Sequence, residues 1–281
     1  MESMRGKTCV VTGANTGIGK VTAQVLASQG ARVRLACRSQ EKAEAAAEEI
    51  RAAVPDADVS FHKLDLGSLA AVRESAETLL AEEAKIHVLV NNAGLAGTRD
   101  VTSDGFEIAF GVNHLAHFLF TELLRPRLVE SAPARIVIVA SKAHYQAKGI
   151  EFDKLQQKTA STTGLPEYAV SKLSNVLHAK KLSRLLEGTG VTTYALHPGV
   201  VASDVWRHVP WPFRSIMKLF MISNEDGAKT TLHCATDAQA GAESGLYYDK
   251  CKAMEPSPQA LDTALQDELW KRSLEWCDLP A

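Results

Sequence analysis

The sequence predicts one α/β domain over residues 1–281, a doubly wound parallel sheet flanked by helices. Three observations predict it. Short apolar, β-branched runs alternate with longer Ala/Glu/Leu/Lys-rich stretches along most of the chain, the order that repeated strand–helix–strand crossovers require. The runs are compact and apolar rather than strictly alternating with polar residues, as strands covered on both faces are. The first run ends in three closely spaced glycines before a helical stretch, a loop in which backbone amides can approach a phosphate.

Taken in order, the first strand is Thr8–Thr12, and a helix opens at Gly17-Ile18-Gly19-Lys20. Arg32–Ala36 is the second strand and Gln40–Ala53 the helix after it, built from strong helix formers. Val59–Leu64 and His87–Val90 read as the third and fourth strands, with the helix Leu69–Ala84 between them. A helical pattern carrying Val112-Asn113-His114 follows, then the strand Arg135–Ala140. The stretch AVSKLSNVLHAKKLSRLLE places Leu173, Val176, Leu177 and Leu185 on one helical stripe, and Thr192–Leu196 is the sixth strand.

Two segments break this rhythm. Residues 204–224 hold Trp206, Trp211 and Phe213 before a nearly all-apolar run that contains Phe220, and read as a small helical lid over a substrate, or as a segment packed on its own domain. Residues 256–281 open with Pro-Ser-Pro and read as a closing C-terminal helix. There is no internal repeat, linker or second domain.

Composition excludes several classes. A net charge of −2 gives no electrostatic reason for a nucleic-acid or acidic-membrane partner. Five cysteines, odd in number and without a Cys-x-x-Cys, suit neither a disulfide framework nor a zinc site. His114 and His117 sit three apart on a helix without a third ligand, so they read as core or interface histidines and no metal is expected. No run approaches the ~18 apolar residues of a membrane span, and the start MESMRGKTCVVTG lacks a signal peptide. A cytoplasmic protein is the expectation, with no membrane span and peripheral contact left open.

The glycine loop reads Thr12-Gly13-Ala14-Asn15-Thr16-Gly17-Ile18-Gly19, and its strand-then-helix setting is that of a dinucleotide site. An NAD site needs a carboxylate at the end of the second strand. Here no acid appears until Glu41, whereas Arg38 offers charge to a 2′-phosphate. NADP(H) is therefore the expected cofactor. Lys20 either adds to that site or is a solvated helix residue.

The spacing T-G-x-x-x-G-I-G resembles the short-chain dehydrogenase/reductase family, and further motifs follow in the family's order. These are Asp65-Leu66, Asn91-Asn92-Ala93-Gly94, Val112-Asn113-His114, Ser141, Tyr168-Ala-Val-Ser-Lys172 and His197-Pro198-Gly199-Val200-Val201-Ala202-Ser203. The resemblance implies a Rossmann fold in which Asp65 and Leu66 border the adenine and Asn92, Ala93 and Gly94 turn beside the cofactor. Helix capping is the other reading of Asp65. Pro198, Gly199, Val201 and Ser203 would lie at the nicotinamide carboxamide, Ser203 standing where many relatives carry Thr.

Chemistry gives the remaining residues their roles. Hydride transfer to a carbonyl leaves negative charge on oxygen, which calls for a proton donor. Tyr168 is the general acid/base, and Lys172, one helical turn on, favours the phenolate by its charge. Ser141 holds the reacting oxygen. The resemblance adds that Lys172 holds the nicotinamide ribose and that Asn113 holds a relay water. A second Tyr-x-x-x-Lys, Tyr248–Lys252, lies in a strand-like segment, where four residues span ~13 Å, and is set aside.

Within the family, GANTGIGK, LACR, VNHLAHF, YAVSKLSNVL and GVTTYALHPGVV resemble the retinol dehydrogenase-type reductases. That implies a lipophilic alcohol or its aldehyde or ketone as substrate, retinol and retinal leading. Trp206, Trp211, Phe213, Phe220 and His144 are the candidate substrate residues. The resemblance also implies a homo-oligomer paired through the helices carrying Asn113 and Tyr168. Two departures stand out: the chain begins a few residues before its first strand, where membrane-bound relatives carry an apolar anchor, and Lys142 follows Ser141 where a Ser-Ser pair is usual. A soluble carbonyl reductase for steroid or xenobiotic substrates and a non-catalytic NADP-binding regulatory protein are the alternatives. A sugar-nucleotide epimerase fits less well, for want of a C-terminal substrate domain.

Overall fold

A computed structural model describes residues 3–199 and 222–280. The predicted elements return in order: Thr8–Thr12 (β1), Gly17–Ser28 (α1), Arg32–Cys37 (β2), Gln40–Ala53 (α2), Val59–Lys63 (β3), Leu69–Glu82 (α3) and Val88–Asn91 (β4). A short helix, Ile108–Phe110 (α4), runs through a wide π turn at Gly111–Leu115 into Ala116–Glu130 (α5). Ala134–Val139 (β5), Leu165–Leu185 (α6), Val191–His197 (β6), Asn224–Thr236 (α7) and Ala238–Gly241 (α8) follow. The chain closes with Leu246–Asp249 (β7), Lys252–Met254 (β8), Pro258–Leu261 (α9) and Thr263–Trp276 (α10). Ser39 and Ser68 cap α2 and α3 by accepting from the Lys42 and Ala71 amides, satisfying donors that the first turn leaves open.

The sheet order is β3-β2-β1-β4-β5-β6-β7-β8, parallel through β7. The chain winds outward from β1 in one direction and from β4 in the other. The loops after these two neighbouring strands therefore meet at the switch point where ligands of such sheets bind. Each central strand feeds two cores: Leu89 joins the cluster under α3, α5, α6 and α10, while Val88 and Val90 join the one under α1, α2 and α7. Burial on both faces explains the lack of polar alternation.

Two expectations need correction. The final strand is antiparallel: Lys250 and Cys251 (φ 50° and 59°) turn β7 back into β8, the backbone a two-residue hairpin requires. Tyr248 and Lys252 thus lie on two arms of a hairpin rather than along one strand, and the Tyr248 hydroxyl bonds Glu243 instead. The C-terminal segment is two helices, not one. Asp262 ends α9 and caps α10, its Oδ1 accepting from the Ala264 and Leu265 amides at 2.9 and 3.1 Å. Most of the predicted lid, residues 204–221, lies outside the described residues.

Helix α10 packs across α6 and α5. Trp270 stands edge-on to Phe118 at 4.9 Å, and Trp276 meets Phe106 and Phe110 at 5.5 and 5.7 Å. Leu269 is buried between them, worth about 2 kcal/mol. The face through which the resemblance implies pairing therefore carries the chain's own C-terminal helix.

Candidate active site

The glycine loop leaves β1 at Thr12 and enters α1 at Gly17. Gly13 has φ +65°, and a Cβ there would lie 2.9 Å from Ala93 Cβ. At Gly19 a Cβ would meet Asn92 Nδ2 at 2.5 Å, so side chains are excluded by the turn after β4. Asn15, Thr16 and Ile18 complete the loop; Thr16 is exposed and makes no side-chain capping bond, and the first turn of α1 carries no acid. Uncapped amides and the positive helix end suit a pyrophosphate, so the residues present fit a dinucleotide.

Around this loop, Arg38 stands exposed just past β2. Lys20 forms an ion pair with Glu49 of α2, which a 2′-phosphate would have to displace. Asp65 accepts from the Gly67 amide at 2.9 Å and leaves the capping of α3 to Ser68. Leu66 packs on the core.

A chain of hydrogen bonds runs from the loop to Tyr168. Thr12 Oγ1 accepts from the Asn92 and Ala93 amides, both at 2.9 Å. With both lone pairs used, its proton goes to His117 Nε2 at 2.9 Å. His117 is therefore protonated at Nδ1, which donates to the Asn113 carbonyl at 3.2 Å. Burial pushes this imidazole down to about 4, so it stays neutral. Asn113 Nδ2 donates to the Leu95 carbonyl and to Ser171 Oγ, each at 3.0 Å, while its Oδ1 accepts from the Leu95 amide at 2.9 Å. Ser171 Oγ in turn donates to the Tyr168 carbonyl at 2.8 Å. The Asn113 side chain is thus a clamp between the loop after Gly94 and α6.

Tyr168 and Lys172 face inward from α6, 6% and 4% exposed. Lys172 Nζ lies 5.6 Å from the Tyr168 ring centre and donates to the Val139 carbonyl at 2.9 Å, an acceptor it shares with Asn175 Nδ2 at 3.2 Å. The Tyr168 phenol is hydrogen-bonded to the Ser141 side chain, which partly offsets burial. Burial nevertheless pushes the phenol up to about 12 and the lysine down to about 7. The sequence predicts that Lys172 lowers the phenol; here desolvation of its charged form sets the direction, and the bond to Ser141 offsets it in part. Ser141 starts the turn Lys142–Gln146, its Oγ accepting from the Ala143 amide at 3.2 Å. Lys142 is neutralised by Asp249 at 2.8 Å.

His144, a candidate substrate residue, points into the core. It is fully buried between Ser141 and Ser257. His114 also lies in the core, its ring 5.2 Å from that of Phe110. Pro198 and Gly199 follow β6 directly. Val201, Ser203, Trp206, Trp211, Phe213 and Phe220 lie outside the described residues. Sequence reasoning missed His117, Ser171 and Asn175 as members of the site. Tyr168, Lys172 and Asn175 recur at helical spacing as a polar stripe on an otherwise apolar face, a signal that periodicity alone could have flagged for Asn175.

Residues 7–152 match the profile described as short chain dehydrogenase. Over 276 residues the chain is 47% identical to retinol dehydrogenase 12 of Homo sapiens, covering 96% of this chain and 86% of that one. Two solved structures are similar. A 3-ketoacyl-(acyl-carrier-protein) reductase from Brucella melitensis, complexed with NADH, is 25% identical with a TM-score of 0.70, covering 88% of this chain and 97% of that one. The RhlG/NADP active-site complex of Pseudomonas aeruginosa is 26% identical with a TM-score of 0.69, covering 87% and 94%.

Proposed function

The chain belongs to the short chain dehydrogenase family, and from that premise we propose an NADP(H)-dependent oxidoreductase that interconverts a lipophilic alcohol and its aldehyde or ketone, with retinol- and retinal-like substrates leading. The observation that carries the reading is the convergence of Ser141, Tyr168 and Lys172 from the ends of β5 and α6, tied through Asn113 and His117 to the glycine loop.

The nicotinamide, when bound, supplies or accepts the hydride. The residues of the chain do the rest. Ser141 holds the substrate oxygen, and Tyr168 gives it a proton from the phenol. With its pKa raised to about 12, the phenol is protonated at neutral pH, the form that reduction consumes. Lys172 keeps further donors for the ribose hydroxyls, and its charged form stabilises the phenolate left behind. Gly13, Gly17 and Gly19 admit the pyrophosphate to the α1 amides, and Arg38 meets the 2′-phosphate.

The lipophilic substrate class rests on the 47% identity to a protein named retinol dehydrogenase. The cytoplasmic reading rests on five free cysteines and on composition; no helix among the described residues is long and apolar enough to cross a membrane. Pairing of copies would need a surface other than the one under α10, or release of that helix.

The test follows NADPH and NADH oxidation by the purified protein against aliphatic, aromatic, steroid and retinoid carbonyls. Tyr168→Phe should lower turnover by about 10²–10⁴-fold while NADPH still binds. Arg38→Asp should move preference toward NADH. Full turnover in Tyr168→Phe refutes its role, and an unchanged cofactor ratio in Arg38→Asp refutes the 2′-phosphate site.

A further inference from the structure

His144 lies three residues past Ser141, is wholly buried, and touches backbone at both ring nitrogens. Nδ1 is 2.7 Å from the Ser141 carbonyl oxygen, and Nε2 is 3.1 Å from the Ser257 amide nitrogen. A carbonyl only accepts and an amide N–H only donates, so the tautomer follows: Nδ1–H donates to Ser141, and Nε2 accepts from Ser257. A protonated ring would set N–H against N–H. Burial, by holding the imidazole below its ordinary pKa, preserves the neutral form.

The surroundings hold the ring in place. Its centre lies 4.0 Å from that of Tyr145 and 4.7 Å from that of Tyr247. Tyr145 adds a second tie between the same two segments, its hydroxyl donating to the Glu255 carbonyl at 2.5 Å. Ser257 opens the C-terminal pair α9–α10, which is anchored on α6 by Asp267 to Lys181 and Arg184 at 2.9 and 2.7 Å. The same α6 carries Tyr168.

We propose that His144 is a positioning residue for Ser141. Its Nδ1–H, beside the His144 amide that donates to the same oxygen at 3.1 Å, fixes the Ser141 carbonyl, and with it the direction of the Ser141 hydroxyl toward the Tyr168 phenol. The bond from the Ser257 amide sets the tautomer and docks the C-terminal segment, and turnover does not require it. The proposal rests on the reading of Ser141 given under Proposed function; the bland alternative is that His144 only docks the C-terminal segment.

Two substitutions separate these roles. His144→Asn keeps an N–H near Nδ1 and loses the acceptor for Ser257. His144→Gln places its amide near Nε2, where its oxygen can accept from Ser257, and loses the donor to Ser141. A positioning role predicts that His144→Gln lowers kcat by about 10–100-fold, with NADPH affinity by fluorescence titration and substrate KM within about threefold. His144→Asn should keep kcat within about threefold. A docking role predicts the reverse ranking or a parallel loss in both that tracks thermal stability, and either result overturns the proposal, as would unchanged kcat in both. Should the Gln variant not fold, His144→Phe, which keeps the ring contacts and loses both hydrogen bonds, replaces it with the same expectation. Crystal structures of the variants decide independently of turnover: the Ser141–Tyr168 bond should be broken in Gln or Phe and kept in Asn, and its survival in Gln or Phe overturns the proposal. Ser141→Ala, run alongside, distinguishes failure of the function reading, since full turnover in that variant removes Ser141 from the chemistry whatever His144 does.

Discussion

At the scale of single residues, the site is governed by the cost of burying charge. Tyr168 and Lys172 sit in the same desolvated corner, and burial moves their pKa values in opposite directions, the phenol up and the ammonium down. For Lys172 this has a thermodynamic consequence. Its folded pKa of about 7 lies below its unfolded value of 10.5, so between those limits the unfolded chain holds a proton that the native state has released. Native stability must then rise with pH across that window and be lost as pH falls through 7. Urea unfolding of the ligand-free protein should show wild type gaining roughly 1–2 kcal/mol on Lys172→Met between pH 7 and 8.5. A difference that stays constant with pH would mean that Lys172 is charged in the native state throughout. Comparison with the variant cancels the buried thiols and phenols, whose raised pKa values act oppositely at higher pH.

At the scale of elements, the wide turn Gly111–Leu115 between α4 and α5 joins the two halves of the site, because it brings Asn113 to the loop after β4 and to α6 at once. Truncating that side chain strands the Leu95 amide, the Leu95 carbonyl and Ser171 without their partner. Each buried polar group so orphaned costs about 1–3 kcal/mol. Asn113→Ala should therefore lower unfolding free energy by roughly 3 kcal/mol or more, as well as activity. A purely water-relaying amide would slow turnover and leave the urea midpoint where it was. The motif Val112-Asn113-His114 was legible in sequence, but its clamping role was not, since the partners lie 18 and 58 residues away. His117 was hidden for the same reason. On the page it is one more apolar-helix histidine, and only the proximity of Thr12 and Asn113 reveals its two bonds.

At the scale of the whole molecule, the C-terminal pair α9–α10 decides what the outer face of α5 and α6 does. Leu269, Trp270 and Trp276 cover it. Leu269→Asp should undock α10 at a cost of several kcal/mol, since it both removes apolar burial and leaves a carboxylate unpaired. Sedimentation velocity and limited proteolysis would then show cleavage after Ser257 and association through the uncovered aromatics. A variant that stays protected and keeps the wild-type mass would show that α10 is held by other contacts.

The division between what the sequence determined and what the tertiary structure decided follows the range of the forces involved. Strands, the first three helices, the glycine loop and the Tyr168–Lys172 pair were readable because each depends on neighbours within a turn or two: apolar runs, helix-forming composition and glycine spacing. A parallel, doubly wound sheet was implied by alternating strands and helices, while the order β3-β2-β1-β4 came from the structure. Tertiary structure alone decided the rest. It buried His144 between two backbone partners, turned β8 back on β7, split the C-terminal helix at Asp262, and set the phenol high and the ammonium low. Those outcomes depend on burial and on partners distant in the chain, such as Ser257 for His144 and Thr12 for His117. Burial is a property of the packed whole, and no local pattern carries it.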